Sequence, residues 1–125
     1  MSGINKVILV GHLGRDPEIR HLTGEVAVTS FPLVTDEKRL KEGVKIEQEE
    51  WHNIILWRGL AESAAKKLKK GALVYIEGKI RTRSFLDKEG LQKYTSEIVA
   101  EHFTLLGRKN DFEEWIPDKY VADRL

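Results

Sequence analysis

Cysteine is absent from the 125 residues, which excludes a disulfide scaffold, a thiolate metal site and a cysteine nucleophile. Proline is scarce, with three residues, and no low-complexity segment or internal repeat stands out. Charge of one sign is also missing: 21 Lys and Arg face 20 Asp and Glu, for a formal +1. A strongly basic arm or an acidic solvating chain is therefore not the organising feature, although the placement of charge can still suit a polyanion. Apolar runs such as Val7 to Val10 are far too short to span a bilayer. The opening residues carry neither a signal-peptide core nor an Arg-rich amphipathic pattern, so the expected location is the cytoplasm. The length suits one compact domain.

What is present has the texture of β structure. Asn5 to Leu13 is apolar on both faces, with Ile8 and Val10 on one and Val7, Leu9 and Leu13 on the other. Gly11 and Gly14 suit bends, and Asp16-Pro17 suits a turn. Glu25 to Val34 reads as a second strand, with Pro32 at an edge or bulge. Asp36 to Glu50 is polar and reads as a mobile hairpin tip or arm. Trp51 to Arg58 is a third strand. Leu60 to Lys69 has the apolar spacing of a helix, with lysines gathered at its end and Gly71 as its stop. Ala72 to Phe85 alternates cleanly, turns at Asp87 to Gly90, and returns as Gln92 to Ala100, and Phe103 to Leu106 adds an apolar patch. Five strand-like segments with a helix between the third and fourth predict an all-β, five-stranded Greek-key barrel of the OB type, over residues 1–107. Residues 108–125 form a separate tail. With four cations and five acids there, 17 and 15 remain in the domain, so the domain is formally +2 and the tail −1.

Two strands display chemistry. Alternation puts Trp51, Asn53, Ile55 and Trp57 on one face and His52, Ile54, Leu56 and Arg58 on the other. Ile54 and Leu56 already supply a core face, which leaves the indoles for the outside. On the later strand Tyr75, Glu77, Lys79, Arg81, Arg83 and Phe85 share one parity. Cations meet phosphates with release of counterions, and rings stack on unpaired bases, so the combination favours single-stranded nucleic acid over duplex. The four histidines lack metal-ligand spacing, Gly11 to Gly14 lacks the phosphate-loop pattern, and the adjacent pairs Glu49-Glu50 and Glu113-Glu114 do not make acid/base dyads. No metal, cofactor or enzymatic activity is expected.

In order along residues 4–107, Ile4-Asn5-Lys6-Val7-Ile8-Leu9-Val10-Gly11, Leu13-Gly14, Asp16-Pro17-Glu18, Glu50-Trp51-His52, Leu60-Ala61-Glu62, Gly71, Val74-Tyr75-Ile76-Glu77-Gly78, Arg81-Thr82-Arg83 and Tyr94-Thr95 with Glu97 make a collinear set. The chain thereby resembles the bacterial-type single-stranded-DNA-binding family, homotetrameric OB-fold proteins. The resemblance implies base stacking on Trp51, on Trp57 (where the family usually has Phe) and on Phe85 (where many members have Trp). Arg39 or a neighbour stands where a family tryptophan is missing. Lys6, Arg20, Arg58, Lys79, Arg81 and Arg83 fall along the implied DNA path, and Asn5, His52, Tyr75 and Glu77 at the implied subunit interfaces. The implied function is sequence-tolerant binding of single-stranded DNA during replication, recombination and repair. An OB accessory module for protein partners, of primosome or conjugation type, is the alternative, and an OB nuclease a third for which no carboxylate cluster is found. The family's long linker and Ile-Pro-Phe ending, on which replication and repair proteins dock, are replaced here by Glu113-Glu114-Trp115-Ile116-Pro117-Asp118 and a last stretch Ala122-Asp123-Arg124-Leu125. Phe112, Trp115, Ile116, Tyr120 and Val121 predict that this tail packs on its own or a neighbouring subunit.

Overall fold

The computed structural model describes residues 2–108. The expectation for the tail falls on 109–125 and lies outside the described residues. The elements run β1 (Val7–Leu13), β2 (Glu18–Leu22), β3 (Val26–Lys41), β4 (Val44–Trp57), α1 (Arg58–Lys67), β5 (Leu73–Leu86) and β6 (Gln92–Gly107).

Hydrogen-bonded order is β1-β5-β6-β4-β3-β2, and a further β1–β3 pairing, His12 to Val34 and Leu13 to Leu33, closes five strands into a ring. The short parallel contact of β4 with β6, at Ile54 to Ile98 and Ile55 to Val99, completes it. The sixth strand, β2, lies outside this ring as an edge on β3. It has no buried residue, which is why hydropathy alone did not reveal it. The barrel and the helix between the third and fourth of the expected strands agree with the sequence reading.

The core is the inner face of these strands: Phe31 and Leu33 from β3, Ile54 and Leu56 from β4, Val74 and Ile76 from β5, Ile98 and Ala100 from β6. The helix closes one end with Ala61, Ala64 and, just past its last turn, Leu68. The buried Thr29 hydroxyl donates to the Ala61 carbonyl at 2.8 Å, joining barrel wall to helix. The helix ends at Lys67 rather than Lys69, because Leu68 turns extended to bury its side chain. Gly71 does not cap it. Instead its N–H donates to the Leu13 carbonyl, tying the following turn to β1.

Pro32 sits within β3, opposite Asn53 of β4. On its other side the β2 pairing has stopped at Ser30 and β1 pairs only from Leu33. The Pro32 carbonyl accepts from the Gly14 N–H on that side, so the missing donor falls where no strand needs it. The polar run 36–50 forms the outer half of the β3–β4 hairpin. Its two-residue turn has φ of 52° at Glu42 and 81° at Gly43, the paired left-handed geometry that matches strand twist and favours glycine. The β5–β6 hairpin also extends beyond the barrel. Ile80, on the same strand parity as the buried Val74 and Ile76, is 49% exposed because the core ends before it. The apolar patch at Phe103 is not separate but continues β6 past a bulge at Glu101, where pairing passes from Gly78–Ala100 to Glu77–His102.

Candidate nucleic-acid interface

Alternation in β4 works as the core requires. Ile54 and Leu56 are buried, which forces Trp51, Asn53, Ile55 and Trp57 outward. Trp51 is 58% and Trp57 43% exposed, and they stand about 20 Å apart along one strand. Trp51 is held against Gly14: a β-carbon there would stand 2.5 Å from ring atom Cζ3 and 2.9 Å from Cη2. Gly14, read from the sequence as a bend, is thus a seat for the indole.

Around Trp57 the register runs Arg20, Val28, Trp57 across β2, β3 and β4. Directly opposed residues share a face, so the arginine and the ring flank Val28, which is buried between them. Arg58 departs from the expected parity with Ile54 and Leu56. Its φ of 58° breaks the alternation where strand becomes helix. A left-handed non-glycine residue costs on the order of 1–3 kcal/mol. Arg58 lines an open depression with Trp57, His21, Leu22, Thr23 and Val26.

The outer face continues through Val99 and Glu97 of β6 to Lys79 and Arg81 of β5. Lys79 pairs with Val99 and Arg81 with Glu97 in register. Phe85, 49% exposed and opposite Lys93, extends this parity onto the distal hairpin. Two expected members of the path are already engaged. Arg83 donates to Glu97 from Nε at 2.9 Å and from Nη2 at 3.0 Å, a fork on a carboxylate that is almost fully buried. Lys6 pairs with Glu77 at 3.3 Å. Arg39 stands opposite Ile46, on the parity of the arm that continues to His52 rather than to Trp51. The cations that the fold groups with the indoles are therefore Arg20, Arg58, Lys79 and Arg81.

The expected interface residues lie elsewhere. Tyr75 donates to Glu77 at 2.8 Å, Glu77 takes Lys6, and His102 meets the Tyr75 ring edge-on at 6.2 Å. Accepting from Tyr75 and from Lys6 holds the Glu77 carboxyl below its ordinary range, while donation to Glu77 raises the Tyr75 hydroxyl above 10.0. Ile8 and Val10 of β1 lie opposite Glu77 and Tyr75 and are half-exposed. One face of β1 is thus apolar yet uncovered in the single chain. The Asn5 side chain donates to the Ile80 carbonyl and accepts from its N–H, prolonging the β1 ladder. His52 is half-buried and 3.0 Å from the Thr35 hydroxyl. Among the described residues no three His, Asp or Glu side chains form a metal cluster, and no helix is long and apolar enough to cross a membrane.

A closed five-stranded barrel with a capping helix is the OB class of fold, and two outward indoles on one strand with cations along the same face give it a surface of the kind that suits stacking and phosphate contacts. The chain belongs to the single-strand binding protein family, whose model matches residues 4–106. It is 45% identical over 109 residues to a single-stranded DNA-binding protein of Neisseria meningitidis serogroup A. That match covers 86% of this chain and 63% of the relative, so the chain spans less than two thirds of that protein's length. It is 43% identical over 113 residues to single-stranded DNA-binding protein 1 of Xylella fastidiosa, covering 89% and 83% of the two chains. Among solved structures, a Plasmodium falciparum SSB in complex with ssDNA superposes with TM-score 0.79 at 27% identity, over 85% of this chain and 97% of that one.

Proposed function

We propose that the chain binds single-stranded DNA with little sequence preference and without catalysis, as a homotetramer in the cytoplasm, in support of replication, recombination and repair. Residues 1–107 are the binding domain and 108–125 an appended tail. The observation that carries this reading is the pair of outward indoles, Trp51 and Trp57, on a face shared with Arg20, Lys79 and Arg81. Every base has a π face, so stacking on Trp51, Trp57 and Phe85 is indifferent to sequence, and nearby cations take the phosphates. The names of the Neisseria and Xylella relatives and the ssDNA in the Plasmodium complex support the same ligand.

Assembly is supported by the uncovered Ile8 and Val10 beside the Tyr75–Glu77–Lys6 network: an apolar strand face with polar pairs at its margin suits another copy of the chain. Titration of intrinsic fluorescence with dT oligomers of increasing length at two salt concentrations tests the function. Indole quenching and weaker binding at the higher salt are expected. Absence of quenching with oligomers of any length refutes it. Sedimentation tests the assembly, and a monomer refutes that part.

A further inference from the structure

Beyond Trp51 the sheet face runs out onto the β3–β4 arm, and the register fixes the order of the charges there. Trp51 stands opposite Val34. The next pair outward on the same face is Asp36 with Glu49, followed by Lys38 with Glu47 and then Leu40 with Lys45. Asp36 and Glu49 are exposed, and a two-residue step sets them about 7 Å along the strands from the Trp51–Val34 pair. None of the ion pairs among the described residues engages either carboxylate. Lys38 is held by Glu47 at 3.2 Å. Arg39 and Lys41, opposite Ile46 and Val44, belong to the arm's other face. The face that continues from Trp51 therefore carries three acids against two lysines, and its first pair is doubly negative. Like charges directly opposed across two strands weaken a hairpin, so this pair does not serve the arm's own folding.

We propose that Asp36 and Glu49 set the outer limit of the DNA platform: their paired charge repels phosphates, so a bound strand leaves the sheet face at Trp51 instead of following the arm. The proposal rests on the DNA-binding reading and adds to it the residues that decide where contact stops. Repulsion placed along one path selects the other path as effectively as added attraction. The cations grouped with the indoles agree with this limit, since Arg20 belongs to β2, Arg58 to α1, and Lys79 and Arg81 to β5, and none to the arm.

The test compares dT binding by the parent chain and by two combined variants. Asp36→Asn with Glu49→Gln removes the pair. Glu37→Gln with Glu42→Gln removes as many charges from the same arm but away from the Trp51 face, Glu37 being opposite Gln48 and Glu42 in the turn. The first variant is expected to bind about fivefold more tightly at 0.1 M salt, where the screening length is about 10 Å, and no more tightly than the parent at 1 M, where it is about 3 Å. The second is expected to gain about twofold or less at 0.1 M. Equal gains in the two variants, no gain in the first, or a gain that persists at 1 M overturns the proposal. Acylation of lysine amines with acetic anhydride supplies a second readout. Lys45, on the Trp51 face near the tip, is expected to react equally with and without dT in the parent, and to be protected by dT in the Asp36→Asn, Glu49→Gln variant. Protection of Lys45 in the parent puts the strand on the arm and overturns the proposal. A parent chain whose indoles are quenched by no dT oligomer refutes the DNA-binding reading and this proposal with it, whereas a parent that binds beside a first variant without gain refutes the proposal alone.

Discussion

Arg81 and Arg83 lie two residues apart on one face of β5 and look equivalent in sequence, yet their surroundings differ. Arg83 is forked onto Glu97, whose side chain is 9% exposed, whereas Arg81 is exposed and sits in register with that same glutamate without bonding to it. Removing Arg83 strands a carboxylate that the fold has taken out of water. Loss of a partner from such a group costs about 1–3 kcal/mol, and the exposed arginine puts Arg83→Ala at the lower end. Removing Arg81 strands nothing and should leave stability within about 0.5 kcal/mol. In binding the order reverses. Each phosphate neutralised on a single strand contributes about 0.7 to the slope of log K against log salt, so Arg81→Ala should flatten that slope by about this amount. Arg83→Ala should flatten it less, since its charge is already spent on Glu97. Urea denaturation at fixed protein concentration and dT titrations across a salt series measure both. If Arg83→Ala flattens the slope as much as Arg81→Ala and unfolds at the parental urea concentration, the positioning role of Arg83 is wrong.

Trp57→Ala should weaken dT binding by about 1–3 kcal/mol, one stacked base, with sedimentation unchanged; full affinity would remove Trp57 from the platform. Gly14→Ala drives a methyl into the Trp51 seat, so the ring must swing outward. Its expected signature is weaker dT binding with altered Trp51 fluorescence and little loss of stability, and normal affinity would show that the seat does not matter. The Tyr75–Glu77–Lys6 network sets a two-sided pH window. A depressed carboxyl favours the folded state above its ordinary range and loses that contribution as pH falls through its folded value. A raised hydroxyl contributes below 10.0 and loses it as pH rises through its folded value. Tyr75→Phe should therefore flatten the stability profile at both ends in pH-dependent denaturation. A profile identical to the parent's would exclude the network as a source of the pH dependence.

The barrel was legible because its signals are local. Ile54 and Leu56 between outward residues, Val74 and Ile76 on β5, and the alanines of α1 each announce their own buried face. The same parity placed Trp51 and Trp57 outside, correctly. Failures arose where a neighbour in space decides. β2 buries nothing of its own and exists by pairing with β3. Arg58 follows the parity of β4 in sequence but leaves it by a left-handed φ. Gly14 looks like any strand glycine until the indole of a residue far along the chain is seen lying on it. The Arg83–Glu97 fork had a readable clue: the turn at Asp87 to Gly90 fixes the hairpin register, which makes these two residues diagonal neighbours on one face.

The near-zero net charge acquires meaning once cations are sorted by partner. Lys6, Lys38 and Arg83 each face a glutamate, so a matching share of the acids is spent on cations that hold the fold or its edges. Glu97 is the clearest case, because its bond to Arg83 fixes the guanidinium beside Arg81 and neutralises it there. The balance of 21 against 20 thus conceals an outer face where Arg20, Lys79 and Arg81 accompany the rings, and a second basic cluster at the end of α1. A surface with a few cations between half-exposed indoles has a modest counterion term and a large stacking term. Its affinity for single strands should accordingly persist into salt concentrations that strip a purely basic groove, and the residual binding there should depend on Trp51 and Trp57 rather than on Lys79 or Arg81.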